Sequence, residues 1–304
     1  PHKGTIRFWQ EILQAIHADY PEAVFLAEWN NPRQTVVKAG FDLDFYVPFG
    51  LFKKWAQDRD DAHLYADTYI SEKSSLFRIF LIAFRESVKT VNHTEGYQIL
   101  QLDNHDIIRL SRGRSDDMIR VLWAIYLTLP GVPLIYYGDE IGMRYQPLKS
   151  KDGGYQRTGS RTPMQWDNTR NNGFSTTEGE LYLPVEGIES PYTVAAQQAD
   201  PHSIYYTVRE LMHLKRMLAC LRATSDFKVL HTGKFRDGNP FIYRRSSNTD
   251  ELVAVILPRR QEIKIKMKKY LKGGEYQCLL QNAAYDGETL TCTGTSYAVF
   301  YRAK

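Results

Sequence analysis

Apolar residues recur with two different periods along the chain, and the change of period divides it. Ile6, Trp9, Ile12, Leu13 and Ile16 lie on one face of an opening helix. Pro21 breaks that pattern, and Val24-Phe25-Leu26-Ala27 predicts a short buried strand ending at Glu28. Phe45-Tyr46-Val47 is a second short apolar run, and Leu51 to Ala56 begins something helical. Ser71 to Val88 carries Leu76, Ile79, Phe80 and Ala83 at helical spacing. Tyr97 to Leu102 predicts another strand, running into Asp103-Asn104-His105-Asp106. Ser115 is placed to cap a helix whose first turn holds Asp116 and Asp117, where the macrodipole favours acid. That helix buries Met118, Val121, Leu122, Ile125 and Leu129 before Pro130-Gly131 stops it. Val132 to Tyr137 predicts a fourth strand, ending at Gly138-Asp139-Glu140. A loop over 144–201 and a helix from Ser203 to Leu221 follow.

Strands separated by helices imply right-handed βαβ units and a parallel sheet, and short, wholly apolar strands fit a sheet covered on both faces. Polar residues gather just after the strands, at Glu28, at Asn104-His105-Asp106 and at Asp139-Glu140. In a (β/α)₈ barrel that is the face where chemistry sits. A doubly wound sheet would place ligands similarly. It finds no Gly-rich phosphate loop here, since Gly153-Gly154 follows no strand and opens no helix. From about Ser225 only strands are predicted, among them Phe241-Ile242-Tyr243 and Leu252 to Leu257, with turn signals at Asn239-Pro240 and Gly273-Gly274. Ile263-Lys264-Ile265-Lys266-Met267-Lys268 alternates strictly, and its lysines read as the solvated face of a strand rather than an anion site. The expected domains are therefore 1–224, a catalytic α/β unit with the long 144–201 loop, and 225–304, a small antiparallel β-domain.

Composition narrows the function classes. The chain has 304 residues, with 39 Lys plus Arg against 35 Asp plus Glu, a net charge of +4. That excess is too weak for a nucleic-acid protein. No apolar run reaches the ~18–20 residues of a membrane-spanning helix. Cys220, Cys278 and Cys292 make no disulfide framework and have no metal-ligand spacing. As free thiols they favour a cytoplasmic setting.

The candidate chemistry rests on carboxylates at strand ends. Glu28, followed by Trp29, would be a general acid if the pair faced a dry cleft, or a surface residue opening a loop. Asp106 puts a second carboxylate at another strand end, beside His105. Paired carboxyl groups suit glycosidic cleavage, in which one protonates the leaving oxygen and others meet an oxocarbenium-like sugar. A serine triad lacks its G-x-S-x-G elbow, because Gly159-Ser160 sits in a loop. His93 and His105 are not on an H-E-x-x-H helix, so neither a metal nor a cofactor is expected.

Phe25-Leu26-Ala27-Glu28-Trp29, Leu102-Asp103-Asn104-His105-Asp106 and Gly131-Val132-Pro133-Leu134-Ile135-Tyr136-Tyr137-Gly138-Asp139-Glu140 resemble three successive strand motifs of the α-amylase superfamily, glycoside hydrolase family 13. Arg161-Thr162-Pro163-Met164-Gln165-Trp166, with Gly173-Phe174-Ser175 after it, is similar to a loop of its α-glucosidase and trehalose-synthase branches. Val208-Arg209-Glu210-Leu211 and the strands beyond resemble that branch's last barrel helix and C-terminal domain.

The resemblance implies Glu28 as the general acid/base after strand five and Asp106 as the transition-state-stabilising carboxylate after strand seven. It implies His105 and Arg157 as substrate-binding residues, with Arg161 either a second such residue or an arginine that braces the loop through a carboxylate. Asp139, Glu140, Asp42 and Asp44 are expected to be structural.

One departure stands out. The family's nucleophilic Asp lies in an Arg-x-Asp context ahead of the acid/base, and no such motif precedes Glu28 here. The expected architecture is thus the C-terminal half of a TIM barrel, strands five to eight, followed by the all-β domain. Such a fragment would be inactive and poorly soluble by itself and would require the N-terminal half of the barrel. The expected activity of the intact protein is retaining hydrolysis of short α-linked glucosides. The alternatives are glucosyl transfer or isomerisation of the trehalose-synthase kind, and a non-catalytic sugar-binding or assembly member.

Overall fold

The computed structural model describes residues 3–46, 70, 77–151, 155–187, 189–232 and 240–304. The run predicted from Leu51 to Ala56, Val47, residues 71–76, Gly153-Gly154 and Asn239 lie outside the described residues. Helix α1 covers Lys3–Asp19, strand β1 Leu26–Ala27, a one-turn helix α2 Pro32–Gln34 and strand β2 Leu43–Phe45. Helix α3 (Phe77–Val91), β3 (Tyr97–Gln101), α4 (Asp116–Thr128) and β4 (Val132–Leu134) continue the alternation. Helices α5 (Val194–Ala199) and α6 (Ile204–Met217) precede β5 (Asp226–His231), β6 (Phe241–Ser246), β7 (Asp250–Leu257), β8 (Glu262–Lys266), β9 (Gln277–Tyr285) and β10 (Thr289–Ala303).

The four short strands form one parallel sheet in the order β1-β2-β3-β4. Register separates its two faces. Ala27, Asp44 and Gln98 pair across the sheet and are all buried on the helix side, where Ser87 of α3 donates to Gln98 Oε1 at 2.6 Å. The opposite face carries Leu26, Leu43 and Tyr97 in one row, of which Leu26 is 45% and Tyr97 41% exposed. Leu134 of β4, on the same face as its partner Gln101, is 42% exposed.

Helix α4 is the hub of the molecule. Ser115 Oγ caps it by accepting from Met118 N, and from Met118 to Thr128 every residue except Arg120 is buried. A helix apolar on all sides must be covered on all sides. One side packs beneath the parallel sheet, where the Tyr126 hydroxyl donates to Leu100 O (2.9 Å) and Leu134 O (2.6 Å). The other meets α6 and the inner face of the second sheet, so that Phe80, Leu100, Trp123, Leu211, Tyr243 and Val299 share one core.

That second sheet is antiparallel, in the order β5-β6-β7-β10-β8, with β9 also paired to β10. Alternate residues of β7 face different cores. Leu252, Ala254 and Ile256 face α4, whereas Val253, Val255 and Leu257 pack with Ile265, Met267, Leu290 and Phe300. Lys264, Lys266 and Lys268 are exposed, as the alternation required.

Several boundaries differ from the sequence reading. The first strand contains two residues rather than four, because Phe25 N is held by the Asp42 carboxylate at 2.7 Å. The segment 144–201 is not all loop: it contains 3₁₀ turns at Tyr155–Ser160 and Arg170–Gly173, and α5, whose cap Thr193 accepts from Ala196 N. The last long helix stops at Met217 rather than Leu221, since Asp250 accepts from Ala219 N and Cys220 N, both at 2.7 Å.

Candidate active site at the strand ends

Parallel strands end at one edge, so the segments following β1, β3 and β4 meet there. Glu28 follows β1 directly and is exposed, and Trp29 is 57% exposed. The dry cleft that the Glu28-Trp29 pair suggested is not formed by the described residues. The backbone beyond Glu28 is nevertheless fixed. Asp44, fully buried in β2, accepts from Trp29 N and Asn30 N through Oδ1, both at 3.1 Å. Its Oδ2 accepts from Asn31 N (2.9 Å) and Thr35 Oγ1 (2.6 Å). Asn30 takes a left-handed φ of 62° at this bend.

Asp106 follows β3, two strand spacings from β1, or roughly 10 Å along the edge. Its Oδ1 accepts from Arg157 Nη1 and Arg161 Nη2, each at 2.8 Å, and its Oδ2 lies 3.6 Å from His105 Nε2. Arg161 Nε also donates to His105 O at 2.9 Å, and Asn104 Oδ1 accepts from Asp106 N at 2.8 Å. Partial burial pushes the Asp106 carboxyl up. The Arg157 hydrogen bond, His105 and the Arg161 guanidinium outweigh it, and the group sits below its ordinary value. The cluster therefore offers a fixed negative charge rather than a proton. Asp106, His105 and Arg157 come together, while Glu28 stands apart on β1. Arg161 pairs with a carboxylate, as one of its two readings expected.

A second group of carboxylates lies beneath this cluster. Asp103 and Asp139 are buried and hydrogen-bonded to each other, beside the fully buried Arg109, whose Nη1 donates to Tyr137 O (2.7 Å) and Asp139 Oδ1 (3.2 Å). The Arg109 guanidinium stacks 4.8 Å from the ring centroids of both Tyr136 and Tyr137. Asp103 Oδ2 accepts from Leu110 N and so closes the loop that carries His105 and Asp106. Burial raises both carboxyl groups, and the Asp103 charge pushes Asp139 up further. Two buried acids against one arginine balance in charge when the acids share a proton. Asp139 is thus buried and ion-paired with Arg109. Arg109 escaped the sequence reading because its partners Tyr137 and Asp139 lie 28 and 30 residues away.

The segment after Arg161 is anchored through the buried Gln165. Its Oε1 accepts from Asn172 Nδ2 (2.9 Å) and Glu186 N (3.0 Å), and its Nε2 donates to Tyr192 O (3.1 Å). The Tyr137 hydroxyl donates to Thr162 O at 2.6 Å and Ser160 Oγ to Ile107 O at 2.8 Å, which ties this segment to the strand-end loops. No group of three potential metal ligands occurs among the described residues.

A parallel α/β sheet with acidic and basic side chains gathered at its C-terminal edge defines the class: an α/β protein of the kind that places its chemistry at strand ends. The chain belongs to the alpha-amylase family, whose catalytic-domain model matches residues 2–224. An alpha-glucosidase of Apis mellifera is 26% identical over 271 residues, covering 82% of this chain and 44% of the relative. A trehalose synthase of Pimelobacter sp. (strain R48) is 41% identical over 106 residues, covering 33% of this chain and 18% of the relative. A solved structure described as a family GH13_31 enzyme superimposes with a TM-score of 0.75 at 17% identity, covering 99% of this chain and 57% of that one. This chain spans about half the length of the curated relatives that it matches over most of its own length.

Proposed function

We propose that the protein is a retaining glycoside hydrolase acting on short α-linked glucosides. The reading is carried by one observation, an ionised Asp106 gripped by Arg157 and Arg161 on the strand edge that also bears Glu28. In it, exposed Glu28 protonates the leaving oxygen and later activates water, while the fixed charge of Asp106 faces the oxocarbenium-like transition state. His105 and Arg157 bind sugar hydroxyls, with Arg157 also holding Asp106 in place. The Asp44 bonds to the backbone after β1 set the position of Glu28.

Retention needs a nucleophile about 5–5.5 Å from the acid/base, and Asp106 is committed to its guanidiniums. We infer that the nucleophile is supplied from outside these 304 residues. On this reading β1–β4 are the second half of a (β/α)₈ barrel. The half-exposed Leu26, Tyr97 and Leu134 mark the face that further strands cover. Residues 1–224 then form the barrel portion and 225–304 the C-terminal β-domain.

The test is glucose release from an aryl α-glucoside. The full protein is expected to release glucose and Glu28→Gln to lose that activity, whereas turnover by the 304 residues alone would overturn the inferred nucleophile. The 41% identity to a trehalose synthase over 106 residues favours isomerisation as a second reading. Product analysis on maltose separates the two, since hydrolysis yields glucose alone and isomerisation yields trehalose.

A further inference from the structure

Beyond the strand-end cluster, the chain builds an open groove of about 690 Å³ lined by Asp167, Arg170, Gly173, Phe174, Ser175 and Thr176. None of these residues belongs to the Glu28 or Asp106 clusters. The backbone that forms the groove is unusual: Asn171, Asn172 and Gly173 are consecutive residues with left-handed φ of 54°, 51° and 70°. Asparagine enters this region more readily than other non-glycine residues, and a run of three persists only where the surroundings over-determine it. Asn171 Nδ2 donates to Ser175 O and Thr177 O at 2.9 and 3.1 Å. Asn172, 1% exposed, donates to Gln165 Oε1 and Glu186 O. Gly173 has a left-handed φ, and a Cβ there would meet the Asp167 carboxylate at 2.9–3.0 Å.

The braced turn presents a particular set of groups. Phe174 is a large apolar ring left 49% exposed. Asp167 is held ionised by the hydroxyl and backbone N–H of Thr169, and both of these bonds fall on Oδ1. The Arg170 guanidinium stands at the rim, paired with Glu178 at 3.0 Å. A carboxylate in the groove repels anionic ligands, and its polar lining disfavours purely apolar ones. An aromatic face next to a charged acceptor and a charged donor suits a molecule with an apolar flat side and hydroxyl edges.

We propose that the Phe174 groove is a saccharide-binding position, in which a glucopyranose ring stacks on Phe174 and its hydroxyls bond Asp167 and Arg170. The assignment rests on the α-glucoside reading for its choice of sugar, and it adds a sugar contact outside the strand-end cluster.

The experiment is a calorimetric titration of the full protein with maltotriose in a Glu28→Gln background, which prevents turnover during the measurement. Phe174→Ala is expected to weaken binding about tenfold or to remove one of two binding events. Phe174→Tyr should retain it, and Asp167→Asn should fall between. Melting curves identify any variant that loses its fold, and the Tyr and Asn variants then decide. Affinity unchanged in Phe174→Ala, or maltotriose binding that only Asp106→Asn reduces, would overturn the proposal. Failure of the hydrolase reading has a separate signature, the absence of glucose release by the unmutated protein.

Discussion

The two sheets of this molecule are held by different means. The antiparallel sheet is enclosed at its centre, with β7 buried along its whole length from Asp250 to Leu257, while Lys264 and Lys266 of β8 stay exposed. The parallel sheet buries its helix side, while its other face, on which Ile99 and Gln101 are covered, and its C-terminal edge carry Leu26, Trp29, Leu134, Ile135 and Tyr137 in partial exposure. Each half has a fully buried arginine, Arg109 in the parallel one and Arg245 in the antiparallel one, and the contrast lies at the strand edge. In the antiparallel half the fully buried Arg245 donates to the carbonyls of Thr128 (2.7 Å), Arg222 (2.7 Å), Ser225 (3.2 Å) and Asp226 (3.2 Å). In the parallel half the arginines of the strand edge point at an exposed carboxylate. Burial turns a guanidinium into a structural rivet, and exposure leaves it available for a ligand.

Substitutions can break or sharpen that contrast. Asp106→Asn in the full protein is expected to reduce turnover by roughly 10³-fold, as loss of a transition-state charge does, with little change in unfolding midpoint. Steady-state kinetics together with urea unfolding would check both halves of that statement. Arg245→Met should do the reverse. It strands several buried carbonyls and is expected to cost about 3 kcal/mol in urea unfolding. Arg161→Ala, which removes a partly exposed pair, should cost no more than ~1 kcal/mol by the same measurement.

A fourth effect depends on pH. Asp103 and Asp139 have raised folded values, so the folded state holds protons that the unfolded chain releases. Their stabilisation is fully present below about pH 4 and is lost as pH rises through the folded values. Asp139→Asn, which mimics the protonated partner, should flatten that decline in a series of melting temperatures. A slope of opposite sign would rule out the shared proton. The smallest change is expected for Lys266→Gln on the exposed face of β8, within about 0.5 kcal/mol of the parent.

What was legible in the sequence follows from range of interaction. The Ser115 cap, the all-round apolar α4 and the Pro130-Gly131 stop are local signals, and the alternation of Ile263, Ile265 and Met267 against lysines is as well. The strand-end carboxylates stood out as candidates because Glu28 follows an apolar run directly and Asp106 lies four residues past Leu102, the end of another. The Asp44 bonds and the Arg109 bridge could not, since each joins segments that the fold alone brings together. Asn171-Asn172-Gly173 looked like ordinary loop composition. Its left-handed run depends on Gln165 and Glu186, which neighbouring residues do not reveal. Glu28 kept two readings in the sequence, because an aromatic neighbour such as Trp29 along the chain does not say whether a carboxyl is covered in space.

Helix α4 has a consequence for how this chain can change over generations. Leu252 and Val299 lie in the same core as Val121 and Leu122, and Arg245 closes the end of the helix at Thr128. A larger side chain on α4 must be answered by a smaller one on β7 or β10. The β-sheet is therefore not an exchangeable appendage. Grafting it onto another member of the family would require its partner helix to travel with it.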